Sequence, residues 1–145
     1  VHALGHNDPG LSGNGWDGVR CRKEIEESHF KHIAKMAKKL ESIPEGNGNM
    51  LDNTLIVYTS CSGGAHHDGQ KDWPFVLVGG MAKKLKMGQY LEFSGYKEKG
   101  HRTIANLYLT FMQAAGINAP DTFGQLDGSL RHLNLTGPLE ELIEG

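Results

Sequence analysis

The runs NTLIVYTS (53–60) and WPFVLVGG (73–80) constrain this chain more than anything else in it. Each is short, rich in β-branched and aromatic residues, and bounded by turn formers, which predicts a strand. Neither alternates apolar with polar residues. Each therefore carries apolar side chains on both faces and needs cover on both, as strands of a parallel α/β sheet do. One source of cover is legible just upstream. Ile25, His29, Ile33, Met36, Leu40 and Ile43 recur at three- and four-residue steps, drawing an apolar stripe along a helix over roughly 23–42. Lys31, Lys35, Lys38 and Lys39 lie mainly outside that stripe, and Pro44, Gly46 and Gly48 end the helix. A second helix is predicted over 103–115, with Ile104, Leu107, Tyr108, Phe111, Met112 and Ala115 on its buried face and Gly116 as its C-terminal cap.

The remaining segments are weaker. Tyr90, Leu91 and Phe93 suggest a short strand or hairpin arm over 87–93, residues 1–20 and 117–138 read as loop, and 139–143 fits one turn of helix. Two helices and about three strands bury a modest core. One amphipathic helix per sheet face is barely enough, so other chain segments or a partner are expected to complete the sheet. At 145 residues the chain is one α/β domain or a piece of one. It opens at Val1 on its densest motif, which reads as a mature or cleaved product or the later part of a longer polypeptide.

Charge removes two classes of partner. Fifteen Lys+Arg against seventeen Asp+Glu leave a net charge of -2, so no global field draws nucleic acid or an acidic membrane. No stretch reaches the ~18 apolar residues of a membrane span. Twenty glycines, about twice the usual ~7%, cluster at 5–18, 46–48, 63–69 and 79–80 and mark tight loops.

Two of those glycine-rich loops carry the histidines. In the loop after the first strand, Cys61-Ser62-Gly63-Gly64-Ala65-His66-His67-Asp68 follows a strand's carboxyl end, where open α/β sheets place ligands. Two imidazoles and a carboxylate suit zinc, iron or manganese, or acid–base work near neutral pH; the plain alternative is a solvated turn. Cys61 could act as nucleophile or metal ligand if an imidazole lowers its pKa, or be a small buried apolar residue. Ser62 with the two glycines offers a hydroxyl and backbone N–H groups to an anion. In the other loop, His2 and His6 stand four apart before Asn7, although Gly5 and Pro9 argue against a helix there. His29 lies on the apolar stripe as a core residue or a site-facing one, and His101 precedes the second helix as a cap or a ligand. His32 and His132 read as surface. Cys21 and Cys61 could pair or stay free, and they fit no metal knuckle. Asn134-Leu135-Thr136 matches the N-glycosylation triplet, a pattern common by chance.

In sequence order, these features form a pattern. His2-x-x-Gly5-His6-Asn7 precedes a helix with an inward His. Then come P-E-G-x-G-x-x-L-D-N-T (44–54), LIVYTS, a His-Asp loop, P-F-V-L-V-G-G (74–80), A-N-L-Y (105–108) and G-I…F-G (116–124). The chain resembles, over nearly its whole length, the carboxy-terminal third of the HXXSHH family, bacterial proteins of unknown function grouped with the alkaline phosphatase and sulfatase superfamily. The resemblance implies an alkaline-phosphatase-like α/β/α sandwich of which this chain is the C-terminal part, the remainder of the domain or another subunit completing it. It also implies export to the periplasm or secretion. A divalent metal (zinc, calcium, iron or manganese) would be held by His2, His6, His67 and Asp68, with Asn7, His29, Cys61, Ser62, His66 and His101 as further site residues. This sequence has Gly5 and Asn7 where the name-giving motif has Ser and His. It has Cys61-Ser62 where catalytic relatives carry Asp-His. Two activities are thus expected: a metal-dependent hydrolase of phosphate or sulfate esters, or a non-catalytic periplasmic binding or assembly protein that recognises a small anion or glycan.

Overall fold

The computed structural model describes residues 17–60 and 73–144, which fold as two compact units. The first comprises 17–50, 56–60 and 73–77; the second comprises 51–55 and 78–144.

The first unit opens with helix α1, Gly18–Glu41. It begins five residues before the start expected near 23, because the Asp17 carboxylate caps it by accepting from the Val19 N–H at 2.9 Å and the Arg20 N–H at 3.3 Å. Residues 18–20, the end of the 1–20 segment read as loop, are therefore helical. Exposed Arg20–Glu24 and Lys23–Glu27 pairs, one turn apart at 2.8 and 3.9 Å, line its first turns. The helix ends at Ser42, whose N–H bonds to the Lys38 carbonyl and whose hydroxyl bonds to that of Lys39. Strands β1 (Pro44–Glu45) and β2 (Gly48–Asn49) then form a two-residue antiparallel hairpin. Strands β3 (Ile56–Thr59) and β4 (Phe75–Val78) pair in a second sheet, shorter than the apolar runs that announced them. No described residue of this unit is buried. The stripe residues Ile33 and Leu40 are half-covered, while Ile25 and Met36 stay exposed.

The second unit holds the core. Helix α2, Ile104–Ala114, ends in a Schellman arrangement: Gly116 takes φ +72°, its N–H meets the Gln113 carbonyl at 3.0 Å, and the Ile117 N–H meets that of Met112 at 2.9 Å. Leu107 and Leu109 of α2 are buried with Leu85, Leu130, Leu135, Leu139 and Leu142. Short 3-10 turns at Gly128–Leu130 and Glu140–Leu142 deliver Leu130 and Leu142, and Leu139 caps the second of them. Between them the buried side chains of Asn106 and Thr110 tie α2 to the segment that follows. Asn106 donates to the carbonyls of Leu135, Thr136 and Gly137 at 3.0, 3.4 and 2.8 Å, and its oxygen accepts the Thr103 N–H and hydroxyl, both at 2.9 Å. Thr110 donates to the Asn106 carbonyl and accepts the Leu139 N–H, both at 2.8 Å.

The strand expected over 87–93 is not there. Gln89 turns this segment instead, donating to the carbonyls of Lys86 and Glu141 at 3.1 and 3.0 Å and leaving Tyr90 exposed. Pairing occurs earlier, as an isolated antiparallel bridge between Leu85 and Ile143. Before that bridge the chain makes an uncommon turn. Met81, Ala82 and Lys83 take φ of 45°, 57° and 64°, forming one left-handed helical turn with the Lys84 N–H on the Gly80 carbonyl at 3.0 Å. Such geometry costs about 1–2 kcal/mol per non-glycine residue. The Ala82 N–H is anchored on the Asp52 carbonyl at 2.6 Å. Gly79 precedes the turn at φ +90°, where a Cβ would collide with the Thr54 carbonyl and stand 2.9 Å from that of Leu51.

Two stability measurements test this account. Asn106→Leu takes this partner from the carbonyls of Leu135, Thr136 and Gly137 and from the Thr103 N–H, so urea denaturation should show a loss of roughly 3–5 kcal/mol; a loss below about 1 kcal/mol would contradict it. Lys83→Gly removes an exposed side chain from a left-handed position and should raise stability by about 0.5–1 kcal/mol, whereas an ordinary turn would lose from the same change.

Candidate functional site

In the first unit, α1 delivers His29 to strand β3. The ring nitrogen Nδ1 of His29 lies 3.3 Å from the Tyr58 hydroxyl, and the two rings meet edge-on with centroids 5.9 Å apart. The next residue, Phe30, packs its ring 4.9 Å from the same tyrosine. Tyr58 is half-buried and His29 exposed, so His29 is not the core residue that its place on the stripe suggested. Two residues beyond Tyr58 the chain reaches Ser60, and the segment bearing Cys61 to Asp68 begins. The Thr59 hydroxyl donates to the Pro74 carbonyl at 2.8 Å, fixing the exit of β3 to the approach of β4. Trp73 stacks on Phe75 at 6.4 Å on that approach.

A hydroxyl can donate or accept, so the His29–Tyr58 bond admits both tautomers. With Nδ1 accepting, Nε2 carries the proton and can donate to an anion. With Nδ1–H donating, Nε2 presents a lone pair to a proton or a cation.

The second unit contains a polar cluster that sequence reasoning missed. Tyr96 donates its hydroxyl to the Asp127 carboxylate at 2.7 Å and sits 2.8 Å from the Ser129 hydroxyl. The other carboxylate oxygen accepts the Ser129 N–H and hydroxyl, both at 2.8 Å. These bonds, Tyr96 foremost, with the nearby Lys97 charge, lower the Asp127 pKa to about 2. The Lys97 ammonium lies 5.3 Å above the Tyr96 ring, and His101 meets that ring edge-on at 5.8 Å. The Asp127-Gly-Ser129 spacing, an acceptor two residues before a backbone donor, was a legible turn signal. Its partner Tyr96, 31 residues away, left none. This carboxylate is ionised and fully engaged at neutral pH, so it ties one loop to another rather than carrying protons.

His101 is neither cap nor shown as a ligand. Its Nδ1 bonds to the Ser94 carbonyl at 3.0 Å, and helix α2 is capped instead by Thr103 with Asn106. His32 bonds to the Ser28 carbonyl and His132 to that of Lys97, both exposed as expected. Cys21 is a free, half-buried thiol. His2, His6, Asn7, Cys61, Ser62, His66, His67 and Asp68 lie outside the described residues. Among the described residues, no three His, Cys, Asp or Glu side chains converge to hold a metal ion, and no helix is long and apolar enough to cross a membrane. Comparison with protein-family models, curated proteins and solved structures returns no match.

Asp127 gives a signed pH dependence. Its folded pKa lies below the ordinary 3.8, so its contribution to stability is complete above about pH 4 and disappears as pH falls through about 2. Tyr96→Phe removes the largest cause. NMR titration should then place the Asp127 pKa closer to 3.8 and show less acid-dependent stability between pH 4 and 2. An unmoved pKa would assign the depression to Ser129 instead.

Proposed function

We propose that this chain is the C-terminal part of an exported protein with an alkaline-phosphatase-like α/β/α sandwich, acting as a metal-dependent hydrolase of phosphate or sulfate esters. The observation that carries the reading is the 3.3 Å contact between His29 and Tyr58. It sets a helix imidazole beside the strand that, two residues later, enters the Cys61–Asp68 segment with its two histidines and carboxylate.

His2, His6, His67 and Asp68 are of the donor types that hold zinc, calcium, iron or manganese. Such an ion would supply Lewis-acid polarisation of an ester oxygen. His29 then has the part of a proton carrier or anion donor, with Tyr58 holding its ring in place. Cys61-Ser62, standing where catalytic superfamily members carry Asp-His, favours a second reading. In it the same loops recognise a small anion or glycan without turnover, on a periplasmic binding or assembly protein.

Metal analysis of protein purified without chelator, together with turnover of aryl phosphate and aryl sulfate esters, separates the two. The hydrolase reading expects bound metal and turnover that His67→Ala lowers by about 10²–10⁴-fold and Tyr58→Phe by about 10-fold. Metal-free protein that turns over neither ester removes it. Saturable binding of inorganic phosphate, sulfate or an oligosaccharide without turnover establishes the second reading.

A further inference from the structure

The triplet Asn134-Leu135-Thr136 occurs once in the sequence and takes no part in the proposed hydrolytic site. No other asparagine of the chain has Ser or Thr two residues on. We infer that Asn134 is the acceptor of an N-linked glycan, transferred from a lipid-diphosphate-linked oligosaccharide, in a chain entering a compartment with the transferase. The inference rests on the export part of the preceding reading and not on hydrolysis.

Three features of the fold single out this asparagine. Asn134 and Thr136 are exposed, while Leu135 between them is buried and anchors the loop in the core. The Asn134 side-chain oxygen accepts the Thr136 hydroxyl at 2.7 Å and the Thr136 N–H at 3.2 Å. The amide is planar, so fixing its oxygen toward Thr136 turns Nδ2 the other way. Among the described residues the fold draws no hydrogen bond from Nδ2. It draws only on the side-chain oxygen and on the backbone carbonyl, which accepts from Arg102 at 3.2 Å. Asn106 is the opposite case, with its Nδ2 buried under three carbonyls.

In the transfer, Nδ2 forms a bond to C1 of the first sugar. The bond from C1 to the diphosphate oxygen breaks, the diphosphate leaves with that electron pair, and Nδ2 loses one proton to a base of the transferase. Nδ2 keeps its second hydrogen, and every hydrogen bond the fold takes from Asn134 survives. The glycan thus attaches at the one side-chain polar atom of the residue from which the described fold draws no hydrogen bond.

The test supplies export itself, so its outcome is separate from the export reading. The chain, given a cleavable secretion leader, is translated into microsomes beside a known glycoprotein. A gel shift reversed by enzymatic removal of N-linked glycan is expected. Asn134→Gln and Thr136→Ala should each abolish the shift, and Thr136→Ser should retain it. An unshifted wild-type chain beside a shifted control, or a shift persisting in Asn134→Gln, overturns the inference. The purified glycoform should denature at or above the midpoint of the unmodified chain; a lowered midpoint would show that the fold does use Nδ2.

Discussion

Both ends of the Asn106 amide are committed inside the second unit. Its oxygen caps helix α2 through Thr103, and its nitrogen serves carbonyls of 135–137, which belong to no helix or strand. Burying an irregular segment is normally prohibitive, because each unpaired carbonyl carries a desolvation cost of ~1–3 kcal/mol. One side chain removes that cost at several positions together, and Thr110 removes it at Leu139. Leu135 and Leu139 can then enter the core although no regular element presents them. The leucine core around α2 therefore depends on two polar residues on the same helix face, one turn apart.

The two units are stabilised differently. The second combines buried leucines with satisfied polar pins, and it holds the left-handed turn at 81–83 against a strain of several kcal/mol. Anchors lie on both sides of that turn: the Asp52 carbonyl takes the Ala82 N–H, and backbone bonds from Lys86 to Leu142 and from Glu144 to Lys84 secure the chain beyond it. In the first unit, no described residue is buried, and the apolar stripe of α1 is only half-covered. Two-stranded sheets and amphipathic helices draw most of their stability from packing. The sequence-level expectation that strands apolar on both faces need further cover thus bears on this unit.

Legibility followed the range of the interaction. Both helices and both apolar strands could be read because periodicity and β-branched composition are local, and Gly116 because its left-handed cap is local too. The start of α1 was misplaced because Asp17 acts before the apolar stripe begins. The strand over 87–93 failed because an alternating pattern does not specify a partner, and Gln89 committed the segment to carbonyls at Lys86 and Glu141. Asn106 looked like one more polar residue in A-N-L-Y, since its role depends on carbonyls about 30 residues away. Tyr96 with Asp127 was hidden for the same reason. Of the candidate site, His29 and His101 could be placed: one lies on a tyrosine hydroxyl, the other on a loop carbonyl.

That difference in partners separates the histidines chemically. A carbonyl only accepts, so the ring nitrogens of His32, His101 and His132 facing the Ser28, Ser94 and Lys97 carbonyls, in that order, must carry hydrogen. Each of these rings, when neutral, is fixed in one tautomer, and moving its proton would break the bond that holds it. His29 is the exception among the described histidines. Tyr58 can reverse its hydroxyl as the imidazole proton changes nitrogen, so the bond persists in either state. A group that takes up a proton on one side and later returns it needs that freedom, together with a fixed ring position. By this criterion His29, exposed and held by a reversible partner beside the exit of β3, is the described histidine best suited to proton transfer.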